Sequence, residues 1–117
     1  DVTNGKTSKN YMAIDFGTSH VKVSIGAPTG QPLASIKDPA AYFRPTDAPV
    51  TAVEFDPAQA LKLIISVAQR AVGASNIAPS DIHGIGVTSQ RQGLVLLNLE
   101  STPHRAEACG RRLKAKK

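Results

Sequence analysis

The sequence feature that most constrains this chain is a short polar turn between two apolar segments. The apolar run 11–14 leads into Asp15, and after the turn the alternating segment 21–25 continues the chain. An ionised carboxylate at the end of a buried strand needs a cation, a metal ion or several donors, so packing alone does not explain Asp15. Gly17 allows a positive φ or a close approach of the backbone to another molecule. We therefore interpret this stretch as a strand–turn–strand unit whose turn has a function.

The residues of this turn suit a nucleotide with its metal ion. Thr18 and Ser19 offer hydroxyls and turn N–H groups that can point at one anion. Mg²⁺ is usually held by one or two carboxylates, while phosphates and water complete its shell. The spacing leaves one alternative open, an ordinary hairpin in which the Asp15 and Thr18 side chains satisfy their own turn.

The composition predicts one modest globular domain with an aliphatic core. The chain has 117 residues, of which 41% are hydrophobic, 20% charged and only 4% aromatic. Its formal charge of +5 is concentrated in segment 105–117, and the remainder is balanced. That segment has no interleaved aromatic residues, so a solvated basic tail is favoured over a nucleic-acid-binding one, and we expect no nucleic acid partner.

Cysteine content and hydropathy predict a cytoplasmic protein without a membrane partner. The single Cys109 excludes an internal disulfide and suits a reducing compartment. No apolar run approaches the ~18 residues that a spanning helix requires. Residues 1–10 are polar and lack the apolar region of a secretory signal, so we interpret them as a disordered leader.

The pattern of apolar residues predicts an α/β domain with a mixed sheet in β-β-β-α-β-β order. Strands are expected at 11–15, 20–27, 31–37, 82–87 and 94–97, and a loop at 38–52. Asp56 is expected to cap a helix that begins at Pro57 and stops at Gly73. Its predicted core stripe is Leu61, Ile64, Ile65, Ala68 and Val72. Gly84 and Gly86 leave the fourth strand without side chains at two positions, so another group is expected to pack close to its backbone.

A second polar turn, at 88–93, lies between two apolar strands. Arg91 is planar, always charged and rich in donors, and its neighbours Gln90 and Gln92 both donate and accept. Such a cluster at a strand end suits a polyhydroxylated ligand in a concave site. The alternative is a solvated hairpin tip. In the predicted order of elements, the two polar turns are able to face one cleft.

Three segments together resemble the FGGY family of carbohydrate kinases. Residues 11–25, with their Asp-x-Gly-Thr-Ser motif, are similar to the family's first phosphate motif, and 53–57 resembles the segment before its first long helix. Residues 82–97 resemble the strand–turn–strand that carries sugar contacts in xylulokinase-like and glycerol kinase-like members. The resemblance implies the N-terminal part of the first actin-like ATPase domain, a ribonuclease-H-like domain fragment.

The resemblance also implies a reaction, which is phosphorylation of a sugar or polyol hydroxyl with ATP and Mg²⁺ as cofactors. Carried over by position, the residues on the phosphates and Mg²⁺ are Asp15, Gly17, Thr18, Ser19 and Lys22. Asp15 acts on the metal indirectly, and Lys22 takes a place often held by a basic residue. Arg91 and Gln92 face the acceptor, with Gln90 in support. Phosphoryl transfer needs this kind of positioning and charge neutralisation more than covalent chemistry.

The chain departs from the family pattern in two ways. Members are several times longer, and their catalytic base, second phosphate motif and adenosine pocket have no counterpart here. We therefore expect a kinase as the parent enzyme and no activity from this chain alone. After Pro103 the family's Trp-x-Asp-x-Arg strand is missing, and 105–114 resembles the helix that follows it.

The expected organisation is thus a leader at 1–10, the N-terminal part of the first kinase domain at 11–104, and a basic helical tail at 105–117. The expected partners are a sugar or polyol substrate and the remainder of the kinase chain, and a homo-oligomer is compatible with the sequence. The alternative interpretation has the same fold but no catalytic activity: a non-catalytic nucleotide-binding or scaffolding module of the same superfamily.

Overall fold

The computed structural model describes residues 9–46, 49, 51, 53–89, 95–100 and 103–104. The chain forms two compact units, and the described residues of the first are 9–40 and 63–89. In chain order the elements are β1 (Asn10–Phe16), β2 (His20–Gly26), β3 (Pro32–Pro39), β4 (Tyr42–Phe43), β5 (Glu54–Phe55), α1 (Pro57–Ser75), a 3-10 turn (Pro79–Asp81), β6 (Ile82–Ser89), β7 (Leu96–Leu97) and β8 (Pro103–His104).

The first unit is built on a four-stranded mixed sheet in the order β3-β2-β1-β6. Strand β2 runs antiparallel to both β1 and β3, whereas β6 runs parallel to β1. Parallel neighbours need a crossover connection, and the chain between β3 and β6 contains α1. The mixed α/β sheet expected from the sequence is confirmed. The described residues also form two separate two-stranded pairs, β4–β5 and β7–β8.

The core of this unit lies between one face of the sheet and α1. Val21, Val23 and Ile25 alternate along β2 and are fully buried, as are Val67 and Ala71 of the helix. Alternate residues of a strand point to opposite faces, so their neighbours project from the other side of the sheet. We call that side the open face and define it by Ala13, Asp15, Lys22, Ser24, Ser35 and Lys37, which are exposed or half-buried.

The helix begins as the sequence predicts. The Asp56 carboxylate accepts hydrogen bonds from the backbone N–H groups of Ala58 (2.9 Å) and Gln59 (3.3 Å), which is an N-cap on the first turn. The predicted core stripe is partly wrong, because Leu61 and Ile65 are 57% and 47% exposed. The buried face is centred instead on Val67 and Ala71, with Ile64, Ala68 and Val72 packed beside them.

The predicted helix end at Gly73 is also wrong. The helix continues to Ser75, whose hydroxyl donates to the Val72 carbonyl (2.6 Å). The residue that leaves the helix in the left-handed region is Asn76, with φ 59°. Asn tolerates that conformation better than most side chains, so it takes the terminating role that glycine often has.

Four other boundaries differ from the sequence-based expectation. Asn10, assigned to the leader, is buried at the start of β1, where its amide donates to the Asp81 carbonyl (3.4 Å). The region 38–52, expected to be a loop, contains β4, which pairs with β5. Strand β6 extends through Thr88 and Ser89, two residues that the sequence pattern places in the turn. Within the expected fifth strand, Leu96–Leu97 pair with β8.

The close packing expected at the glycines of β6 is found at one of them. A β-carbon added at Gly84 would lie 3.2 Å from Cδ1 of Tyr11, because the tyrosine ring crosses that position. At Gly86 no described atom lies within 4 Å of the added carbon. Within the described part of the chain, no helix is long and apolar enough to cross a membrane.

Candidate functional site

The turn between β1 and β2 is closed by backbone hydrogen bonds. The Gly17 N–H donates to the His20 carbonyl at 2.9 Å, which completes a tight connection between the two strands. The Ala40 N–H donates to the Ser19 carbonyl at 2.9 Å, which fastens the turn to the segment after β3. Thr18 and Ser19 are exposed in this turn. Their hydroxyls are therefore presented to solvent by a backbone that is fixed on both sides.

Gly17 has little room for a side chain. A β-carbon built there would lie 3.2 Å from the backbone carbonyl oxygen of His20, closer than most β-carbons come to any neighbour. It would lie 3.9 Å from Oδ1 of Asp15, which puts the carboxylate next to the bare backbone of the glycine. A ligand that approaches Gly17 therefore meets the Asp15 carboxylate as well.

Asp15 and Lys22 face each other across the sheet. They are register partners in the antiparallel pair β1–β2, so both side chains project from the open face. Both residues are exposed, and neither side chain forms a hydrogen bond or ion pair with another described residue. The site thus offers one carboxylate and one ammonium group side by side to a ligand.

Strand β6 brings the start of the second polar turn beside the first. In the parallel pair β1–β6, Asp15 is the partner of Thr88 and Phe16 the partner of Ser89. Parallel strands end at the same edge of a sheet, so the chain enters both turns from one edge. Thr88 and Ser89 are exposed there.

The predicted acceptor residues Gln90, Arg91 and Gln92 lie outside the described residues. Ser89 is the last described residue before them, so their role stays a prediction. The predicted phosphate-side residues are all described and lie at the end of β1, in the turn after it and at the start of β2, and their roles stay predictions. Sequence reasoning did not single out Lys37, and it assigned Thr88 only to the second turn, yet both share the row of Asp15 across the sheet.

Sequence patterns carry a partial signal for these two residues. Alternation along each strand predicts the face on which a side chain lies, but the partner depends on register. Both pairings contain an irregularity, between Asn10 and Tyr11 in β1–β6 and between Ile25 and Gly26 in β2–β3. In β2–β3 the irregularity shifts the register by one residue, so counting from the turn after Gly26 gives the wrong neighbour. In the parallel pair β1–β6 no tight turn connects the strands, so the sequence offers no point from which to count.

The side chains at the turn fit a metal ion that takes most of its ligands from groups other than the protein. No three His, Cys, Asp or Glu side chains within the described ranges come together as a metal site. At the turn, Asp15 alone supplies a carboxylate among the described residues of the open face. Mg²⁺ is commonly bound in this way, by one or two carboxylates with phosphates and water.

Comparison with known sequences gives relatives of one kind. YoaC of Bacillus subtilis strain 168, named as a sugar kinase, is 33% identical over 98 residues, covering 84% of this chain and 20% of that protein. A glycerol kinase of Citrifermentans bemidjiense is 32% identical over 90 residues, covering 77% of this chain and 18% of that protein. The chain therefore spans only about a fifth of the length of these relatives.

Solved structures show the same fold. A xylulose kinase from Brucella ovis superposes with a TM-score of 0.68 at 30% identity, over 82% of this chain and 20% of that one. A xylulose kinase from Rhodospirillum rubrum, at 20% identity, gives a TM-score of 0.69 over 93% of this chain and 24% of that one. The expected fold, a fragment of an actin-like ATPase domain, is confirmed.

A family model matches most of the described chain. It is that of the N-terminal domain of the FGGY carbohydrate kinases, and the match runs over residues 10–106. These residues include both polar turns and the strands that lead into them. The chain belongs to the FGGY family of carbohydrate kinases, within the N-terminal domain of that family.

Proposed function

We propose that this chain supplies the phosphate side of an ATP-dependent kinase that phosphorylates a hydroxyl of a sugar or polyol. The observation that carries the proposal is the position of the Asp15 carboxylate, 3.9 Å from the point where a β-carbon would stand at Gly17, a residue without a side chain. A phosphate chain can approach such a bare turn closely, and the carboxylate is then next to it.

Each described residue of the turn has a distinct task in this proposal. Asp15 acts indirectly on the Mg²⁺ that accompanies the nucleotide, through the water of the metal's shell. Gly17, Thr18 and Ser19 offer N–H and hydroxyl donors to phosphate oxygens. Lys22 neutralises phosphate charge from the same face. Because the transferring phosphoryl group requires positioning and charge stabilisation, no nucleophile from the protein is needed on this side.

The acceptor side belongs to the second turn. Strand β6 carries the chain to Ser89 beside Phe16, and Gln90 to Gln92 follow Ser89 in the sequence. Arg91 and Gln92 bind the hydroxyl groups of the acceptor, and Gln90 supports them. Arginine and glutamine provide several fixed polar partners, which a polyhydroxylated ligand requires.

The base that takes the proton of the acceptor hydroxyl comes from the rest of the kinase chain. The 117-residue chain alone is therefore inactive, and its partners are the sugar or polyol and the remainder of the enzyme. A cytoplasmic location suits a chain whose single cysteine cannot form an internal disulfide.

The test is an assay for acceptor-dependent ATP consumption by the enzyme in its full length. Ketopentoses, hexonates and polyols such as glycerol are offered separately, and the phosphorylated product is identified by mass spectrometry. The proposal predicts turnover with at least one such acceptor and none with the 117-residue chain. Nucleotide binding without transfer to any acceptor would favour a non-catalytic module of the same superfamily instead.

A further inference from the structure

Contacts made by two neighbouring residues of β3 show on which face of the sheet the Lys37 side chain lies. The hydroxyls of Ser24 and Ser35 lie 3.1 Å apart, so these register partners meet on the open face. Lys37 is two residues beyond Ser35 and therefore shares that face. Its neighbour Asp38 points to the other face, where it pairs with Arg70 of α1. Both observations indicate that the Lys37 side chain lies on the open face.

Lys37 is the register partner of Lys22 in the antiparallel pair β2–β3. Residues directly opposite have β-carbons about 4.5–5.5 Å apart, and like charges in this arrangement are destabilising. Both lysines are exposed, and neither forms an ion pair with a described residue. Among the described residues that define the open face, the one carboxylate is that of Asp15, the partner of Lys22 on the strand away from Lys37.

The open face near the turn consequently has an excess of positive charge. One row across the sheet reads Lys37, Lys22, Asp15 and Thr88. Two ammonium groups face one carboxylate in this row, and the exposed His20 lies beside it at the start of β2. An anion with several negative oxygens would relieve the repulsion between the two lysines, and the turn that precedes Lys22 presents donors to the same kind of ligand.

We propose that Lys37 is a phosphate-contacting residue, and that Lys22 and Lys37 together bind the polyphosphate chain of the nucleotide on the open face. This inference rests on the proposed function and extends it to a residue on β3. The two lysines bind phosphate oxygens, and Asp15 acts on the metal ion. The positive groups of the row therefore contact the phosphates of MgATP, and its negative group lies toward the Mg²⁺. Because Lys37 lies two strands away from the Asp15 carboxylate, we expect it to contribute to the affinity for the nucleotide.

The experiment measures binding of MgATP and of tripolyphosphate to the enzyme in its full length, by calorimetry at low and at high salt. The variants are Lys22→Ala, Lys37→Gln, Lys37→Arg and the control Lys9→Gln. Lys9 is an exposed lysine of the same unit that directly precedes β1. It lies six residues and about 20 Å from Asp15 along the strand.

We expect Lys37→Gln to weaken tripolyphosphate binding about three- to tenfold, the effect of one exposed charge-assisted contact. Lys37→Arg should retain most of the affinity, Lys9→Gln should match the wild type, and the difference should shrink at high salt. Without ligand at low salt, Lys37→Gln should melt no lower than the wild type, because it removes a like-charge pair. This measurement also shows that the variant is folded.

Equal binding by the wild type and Lys37→Gln would overturn the inference. If Lys22→Ala still weakened binding, the phosphate role of the first turn would stand and only the role of Lys37 would be lost. If the wild type bound neither MgATP nor tripolyphosphate, both the inference and the proposed function would fail. Weakening by Lys37→Gln that Lys9→Gln reproduces would reveal an effect of net charge, and would also overturn it.

Discussion

Lys22 and Asp15 are direct partners across β2 and β1, and both side chains stand on the face of the sheet that α1 does not cover. The same alternation that buries Val21 and Val23 against the helix exposes Lys22 between them. The core and the candidate site are thus two faces of the same strands. Substitutions on the open face should therefore change ligand binding with little effect on folding.

The first prediction compares two glycines. We expect Gly17→Ala to lower the free energy of unfolding by about 1 kcal/mol, because the new β-carbon crowds the His20 carbonyl. Gly73→Ala is the matched control, since Gly73 lies inside α1 with no neighbouring atom within 4 Å. Alanine is favoured in a helix, so this control should gain about 0.5–1 kcal/mol.

Urea unfolding of both variants checks this prediction. The crowding argument holds if the two substitutions change stability with opposite sign. A Gly17→Ala variant as stable as the wild type would show that the turn accommodates a β-carbon without strain. Crowding would then not explain the glycine at that position.

The second prediction concerns the ion pair between Arg70 of α1 and Asp38 of β3. Their side chains are 48% and 31% exposed, so solvent screens the pair. A double-mutant cycle with Arg70→Ala and Asp38→Ala should give a coupling of about 0.2–1 kcal/mol, smaller in high salt. Gln69→Ala, an exposed neighbour on α1, serves as the control. Coupling that is absent at low salt would show that the pair does not stabilise the packing of α1 on β3.

The third prediction concerns the edge strand β6. Ile85 and Val87 are 61% and 70% exposed, and β6 is at the end of the strand order in the described sheet. An exposed apolar edge strand pairs readily with another chain, so the 117-residue chain should self-associate at high concentration. Val87→Lys should reduce this association in sedimentation experiments.

The control for this prediction is Leu99→Lys. Leu99 is also exposed but lies outside the four-stranded sheet. If Leu99→Lys suppresses association as strongly as Val87→Lys, added charge explains the result and the edge of β6 does not. A monomer at all concentrations would contradict the prediction outright.

The first two strands and the start of the helix were predictable because their signals are local. Alternation along β2 specifies its buried face, and Asp56 followed by Pro57 specifies a cap and a first helical residue. The end of the helix was not, because Gly73 and Asn76 are both acceptable stops. Packing of Val72 and the further turn through Ser75 favour the later one.

The candidate site was predictable as a turn but not as a row across the sheet. Its partners on β3 depend on the irregularity between Ile25 and Gly26, which sets Lys37 opposite Lys22. Without that irregularity, the register from Gly26 and Pro32 would place Ile36 there instead. A shift of one residue exchanges the two faces of a strand, and it has no clear signal in the sequence.

The measurement that tests the central claim most directly is steady-state kinetics of the full-length enzyme with Asp15→Asn and Arg91→Ala, varying ATP and acceptor separately. Asp15→Asn keeps the shape but removes the charge beside the phosphates, so kcat should fall by about 10²- to 10³-fold. Arg91→Ala should raise the KM for the acceptor, at a cost of about 1.5–3 kcal/mol, and leave the KM for ATP nearly unchanged. If Arg91→Ala weakens ATP and spares the acceptor, or if neither variant affects the kinetics, the division of the two turns into a phosphate side and an acceptor side is wrong.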